Sequence, residues 1–213
     1  METDQLVGFV NNDSVGSWAN SGNGGTGYDL LQSGSTKKPL YKTSGGPNGK
    51  PFLLFDGIND TMGTSSTSVI NDSVGTIIAV FEPTAQLGTF QTFFIGRKFG
   101  LYYLMDGASH HWGVFLGSNV LSSHTLTQST FYVLGLVVRA ANDVDLYFGL
   151  TKETKTTGSS YDAKAQAFLA SNGDTQQYGN IGVVALGYDD SALNTTTMND
   201  IIQGLSDKYS ISV

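Results

Sequence analysis

The chain has 213 residues, 39% of them apolar and only 14% charged, with 27 Gly and a polar remainder dominated by Ser, Thr and Asn, a composition that fits one turn-rich β domain and excludes a disordered segment. The net charge is −7 and the 11 Lys and Arg are spread thinly, so there is no basic stripe for nucleic acid or for an anionic lipid surface. The absence of Cys excludes disulfides, thiolate nucleophiles and thiolate metal sites, and no apolar run approaches the roughly 20 residues that insert across a bilayer.

Residues 1–13 carry neither the basic nor the apolar region of a secretory signal. From 15 to 50 the text is Gly, Ser, Asn and Lys with apolar islands at Tyr28-Asp29-Leu30-Leu31 and Pro39-Leu40-Tyr41, which reads as long loops with brief strands. A first firm strand at 51–55 stops at Asp56-Gly57. Runs rich in β-branched and aromatic residues follow at 76–82, 92–96, 101–105, 112–116, 131–139, 144–150 and 181–188. No helical period separates them, which excludes a βαβ design.

Val144, Leu146, Phe148 and Leu150 alternate with Asp145, Tyr147 and Gly149, the pattern of a half-buried antiparallel strand with the second set outward. The runs 77–81 and 132–138 are apolar on both faces and are expected in the middle, one face under the partner sheet, the other under loops or a neighbouring subunit. Met198, Ile201, Ile202, Leu205 and Tyr209 recur with helical spacing, with Thr197 and Asp200 placed as a cap. Residues 210–213 read as a last short strand. The fold class is therefore all-β, an antiparallel β-sandwich with one short C-terminal amphipathic helix, as a single domain over 1–213.

Three stretches carry a family resemblance. Trp18 opens a polar Gly-rich loop at 19–24; Pro39, Tyr41, Asn48-Gly49, Pro51 and Phe55-Asp56-Gly57 with Asp60 follow in order; and 201–209 closes the chain with a helix ending in Lys208-Tyr209. In order and spacing they resemble the concanavalin A-like lectin and glucanase jelly rolls, in particular the laminin-G-like modules of phage virion and bacterial surface proteins. The resemblance implies a concanavalin A-like jelly roll and a range of roles: glycan binding, adhesion, polysaccharide cleavage or virion architecture. Fold does not choose among them.

Catalysis has little to stand on. A retaining glycosidase needs two carboxyl groups about 5 to 5.5 Å apart, and the Glu-x-Asp-x-x-Glu strand of the glucanase branch has no counterpart beside Glu2, Glu82 or Glu153. Asp143 and Asp145 have the right alternation, yet Asn142-Asp143 reads as the turn of a hairpin. No Gly-x-Ser-x-Gly elbow surrounds a serine, and adjacent His110 and His111 cannot face the same way on a strand. The expectation is a protein that is not an enzyme, a hydrolase or lyase being the minor alternative.

Sugar binding needs an aromatic platform and a few fixed hydrogen-bonding groups. Tyr102, Tyr103, Asp106, His110, His111 and Trp112 gather these around one hairpin and are the expected glycan site. A second candidate is metal, since calcium takes oxygens from carboxylates and amides. Asp56, Asn59 and Asp60 offer such oxygens, the alternative being that Asp56 bonds its own turn while Gly57 takes a positive φ. The reading is a surface recognition or adhesion module on a phage virion, assembled in a bacterial cytoplasm, homo-oligomeric, with host-surface glycan or virion proteins as partners. A structural decoration or fibre protein is the alternative role, and an extracellular cell surface the alternative location.

Overall fold

Runs of β-branched and aromatic side chains pair into strands that supply most of the structure. The computed structural model describes residues 1–66, 74–84, 90–95, 100–106, 109–115, 119–140, 143–156, 166–171 and 178–213, with backbone alone at 90, 100, 103–106, 109 and 115. In chain order the strands are β1 (Ser17–Trp18), β2 (Leu30–Leu31), β3 (Leu40–Lys42), β4 (Phe52–Asp56), β5 (Met62–Thr64), β6 (Gly75–Pro83), β7 (Phe90–Ile95) and β8 (Gly100–Asp106). They continue as β9 (Ser109–Phe115), β10 (Asn119–Thr125), β11 (Tyr132–Ala140), β12 (Asp143–Phe148), β13 (Thr151–Thr156), β14 (Phe168–Leu169) and β15 (Asn180–Asp189), before helix α1 (Thr195–Tyr209).

Two antiparallel sheets result. The first runs β1-β2-β5-β14-β7-β8-β9-β10 and the second β13-β12-β11-β6-β15-β4-β3. Their inner faces share one core, in which Trp18, Leu30, Met62, Phe94, Leu101 and Trp112 of the first sheet meet Leu53, Phe55, Phe81, Leu136, Leu146 and Ile181 of the second. This is the expected all-β sandwich with a C-terminal helix. Trp18 is a core residue, 1% exposed, its indole N–H donating to the Glu2 carbonyl at 3.2 Å.

The outer face of the second sheet explains the strands that are apolar on both sides. Ile78, Val80, Val133, Val137 and Val184 lie beneath Met198, Ile202 and Tyr209 of α1, each such burial contributing about 1.5–3 kcal/mol. A bulge between Val183 and Ala185 turns Val184 and Ala185 outward toward this layer while Leu186 returns to the inner core. Gly135 leaves room for the Met198 methyl, since a Cβ there would stand 2.6 Å from Met198 Cε. The chain's own helix thus covers the face for which loops or a neighbouring subunit are the expected cover.

Several expectations change. Asp145 and Tyr147 face outward but are 1% and 0% exposed, since ion pairs and α1 cover them; Leu150 is 38% exposed in the turn after β12. The helix cap is Asn194, whose Oδ1 accepts from the Thr197 N–H at 3.0 Å, one turn earlier than the cap read from Thr197. Residues 210–213 form no strand: Ser210 takes a left-handed conformation that ends α1, and Val213 packs beside Gly149. The turn expected at Asn142 falls outside the described residues, although Ala140 and Asp143 pair across it.

Candidate functional site

The hairpin residues whose side chains are described do not offer one open surface. In the ladder Tyr103 stands opposite Trp112 and Tyr102 opposite Gly113. Trp112 is 1% exposed in the inter-sheet core and Tyr102 is 4% exposed, which leaves neither ring a face for a ligand. His110 and His111 are half-buried, and His111 Nδ1 lies 3.2 Å from the Ser122 carbonyl. The side chains of Tyr103 and Asp106 are outside those described.

The turn after β4 uses its own oxygens. Asp56 Oδ1 accepts the N–H groups of Ile58, Asn59 and Asp60 at 2.8, 3.1 and 3.3 Å, and Asp60 Oδ2 accepts the Asp56 N–H at 3.1 Å. Gly57 supplies the expected positive φ of 71°. Burial pushes the Asp60 carboxyl up to about 6 against the pull of the Asp56 N–H. A calcium ion needs oxygens that face it; three N–H groups converge on Asp56 Oδ1, which thereby serves its own turn, while Asn59 Oδ1 is buried without a hydrogen-bond partner. The melting temperature is expected to be the same in excess calcium and in EDTA, and a calcium-dependent rise would assign an ion to this turn.

Two ionic clusters lie on strand edges. Arg139 grips Asp143 Oδ1 and Oδ2 at 2.9 Å each and Asp145 Oδ1 at 2.9 Å, and Thr154 adds a 2.6 Å bond to Asp145. Both carboxylates are thereby held as anions against one guanidinium, an arrangement that steadies the hairpin. The second cluster joins the two sheets. Glu153 on β13 accepts from Ser122 Oγ at 2.9 Å, Ser123 Oγ at 2.7 Å, the Ser123 N–H at 3.1 Å and His124 Nδ1 at 2.6 Å, all on β10, and from Lys155 at 2.7 Å. Serine, histidine and carboxylate are the parts of a nucleophilic triad, but here both hydroxyls donate to the carboxylate and not to the imidazole.

A cleft of about 500 Å³ lies at one end of the sandwich. One wall is the loop after β1. Its Asn20 is the organiser: the amide donates to the Gly22 and Gly25 carbonyls at 3.2 Å each and accepts from the Gly22 N–H at 3.1 Å, while the Asn20 N–H donates to Asp29 at 2.7 Å. Gly24 is required because a Cβ would lie 2.5 Å from the Tyr28 ring. Tyr28 in turn stacks on Tyr188 at the end of β15, with centroids 6.0 Å apart and planes at 26°. Asp189 and Asp190 continue the rim, Leu30, Phe94 and Leu186 form the floor, and no Lys or Arg among the described residues lines the cleft.

No protein-family model matches the sequence, and no curated protein does. Likeness appears at the level of the fold. A Trypanosoma rangeli sialidase in complex with sialic acid is similar over 96% of this chain and 37% of its own, at 13% identity and a TM-score of 0.58. The botulinum neurotoxin serotype G binding domain is similar over 91% of this chain and 51% of its own, at 11% identity and a TM-score of 0.52. A heptameric pentraxin from Limulus polyphemus is similar over 61% of this chain and 70% of its own, at 11% identity and a TM-score of 0.49. The chain spans little more than a third of the length of the sialidases it matches. At these identities the likeness concerns the β-sandwich fold alone.

The cleft is hidden from a sequence reading because its parts are 160 residues apart. The loop at 19–24 reads as a family marker and Tyr188-Asp189-Asp190 as the end of a strand. The available signal is the abrupt change from the apolar run 181–186 to an aromatic and two carboxylates.

Proposed function

We propose that this chain is a non-enzymatic recognition module that holds a neutral saccharide in the end cleft. The observation that carries the reading is the union of half-buried Tyr28 and Tyr188 rings with a rim of amide, hydroxyl and carboxylate groups around one 500 Å³ cleft. Such a combination suits a pyranose, whose apolar face packs on an aromatic ring while its hydroxyls take fixed polar partners. The volume lies within the roughly 300–1,000 Å³ of small-ligand sites. Asp189 and Asp190 outnumber the Met1 ammonium, which donates to the Leu186 carbonyl at 2.8 Å, and the net negative lining disfavours carboxylated or sulfated sugars.

The carboxyl groups support a role without catalysis. Glu82 is pushed up to about 7 by burial, the state of a general acid, but its neighbour across the ladder is Gly182, and beyond that Leu54, so no second carboxylate flanks it there. The sequence resemblance to virion modules extends the proposal to display in several copies on a phage particle, contacting a host-surface glycan. A glycan array tests the site. Tyr188→Ala and Tyr28→Ala are expected to weaken binding tenfold or more, about 1.4 kcal/mol, while His111→Ala leaves it unchanged. Loss in the His111 variant alone would return the site to the β8–β9 hairpin, and preference for sialylated or uronate-bearing glycans would overturn the neutral class. Release of reducing ends from polysaccharides would revive the hydrolase.

A further inference from the structure

A second cleft, of about 420 Å³, lies against the first and shares Asn20 and Ser21 with it. Its walls are Leu6, Val7 and Phe9 from the segment before β1, and its base is Trp18. Val7 is 86% exposed, an apolar side chain at the rim of a depression whose lining holds no Asp, Glu, Lys or Arg among the described residues. The wall between the clefts is two residues of chain, a length of at most about 7 Å. Asn20 commits its amide to the turn, which fixes the wall, and Ser21 at its crest is exposed.

We infer that the two clefts are consecutive subsites of one groove that takes a neutral oligosaccharide of several sugar units, one unit seated by Tyr28 and Tyr188 and the next against Val7 and Phe9, across the Asn20-Ser21 wall. This rests on the saccharide reading of the first cleft. Two adjoining depressions, one uncharged and one net negative, with an apolar surface in each, suit a chain that repeats one amphipathic unit. A terminal monosaccharide would use the first cleft alone and leave the exposed Val7 surface without a role. The segment 5–9 is thereby a determinant of ligand length and not of ligand identity.

Titration with gluco-, galacto-, manno- and chito-oligosaccharide ladders of increasing length tests the inference. For the series that binds, affinity is expected to rise at least tenfold from the monosaccharide to the longer members. Ser17→Trp, which fills the second cleft from an exposed position, and Val7→Asp, which places a charge on its wall, are each expected to abolish that rise while leaving monosaccharide binding and melting temperature unchanged. Tyr188→Ala weakens every length. A flat ladder in the unaltered protein, or a rise that survives both second-cleft variants, overturns the two-subsite groove while leaving the first cleft as a sugar site. Absence of binding by every ladder overturns the saccharide reading itself.

Discussion

Replacing Glu153 with glutamine is expected to cost about 2–4 kcal/mol of folding free energy at pH 7, a large effect for one near-isosteric change at a strand edge. The carboxylate, 13% exposed, is the acceptor for two hydroxyls, a backbone N–H, an imidazole and an ammonium. Four of these five donors come from β10 and the carboxylate from β13, edge strands of different sheets. An amide would turn a donor toward donors and leave the ammonium uncompensated. Burial pulls this carboxyl upward, but Lys155, Ser123 and His124 outweigh it and hold the group well below the ordinary Glu range. Its contribution is therefore fully present above pH 4.5 and lost as pH falls through the folded value. The stability gap between the two proteins should stay constant from pH 5 to 8 and close in strong acid. Urea titration measures it; a gap under about 0.5 kcal/mol at pH 7 would reduce this cluster to an ordinary surface pair.

Much of the fold was legible because burial is written in the period of the strands. The continuous apolar runs at 77–81 and 132–138 identify the two strands that are covered on both faces, and the spacing of Met198, Ile202 and Tyr209 identifies the element that covers them. What was illegible has a common cause. β13 reads Thr-Lys-Glu-Thr-Lys-Thr, with no apolar residue to set a period, because it is an edge strand whose work is ionic. β10 shows the same difficulty, since Ser122, Ser123 and His124 face a carboxylate 30 residues away. Clustered aromatics in the hairpin are ambiguous for a related reason: they signal burial as strongly as binding, and Trp112 is in the core. The Asp56-Gly57 turn is legible in both its forms, and the geometry favours the one in which the carboxylate serves its own backbone.

The protein is expected to be more stable at pH 5 than at pH 8, by about 2–4 kcal/mol, against the usual intuition that an acidic protein gains as its carboxylates ionise. Two groups cause this, and they outweigh the Met1 ammonium, which burial pulls below its ordinary value so that its cost is relieved as pH rises. Glu82, 8% exposed, sits on the outer face of the second sheet, where its side chain and the Phe52 ring both crowd Gly182, at 2.9 and 3.0 Å from where a Cβ would lie. Burial alone lifts its carboxyl from 4.5 to about 7, and burial lifts Asp60 from 3.8 to about 6. Between those limits the folded chain keeps protons that the unfolded chain has released, so stability is full below the unfolded values and declines as pH rises through the folded ones. A carboxyl that holds its proton over one further pH unit in the folded chain makes a difference of about 1.4 kcal/mol. Groups held low, such as Glu153 and Asp145, make contributions that are already complete above pH 4.5 and leave the slope between 5 and 8 unchanged. Glu82→Gln needs no proton to stay neutral, so it should flatten the profile, matching the unaltered protein near pH 5 and exceeding it near pH 8. Asp60→Asn should remove a smaller part of the slope, confined to pH 4 to 6, with the amide oxygen still able to accept the Asp56 N–H. Denaturant midpoints across pH 4 to 9 decide it: a profile that climbs from pH 5 to 8 would overturn the prediction, and a Glu82→Gln variant with an unchanged slope would mean that the Glu82 carboxyl ionises freely and that its pocket is wet.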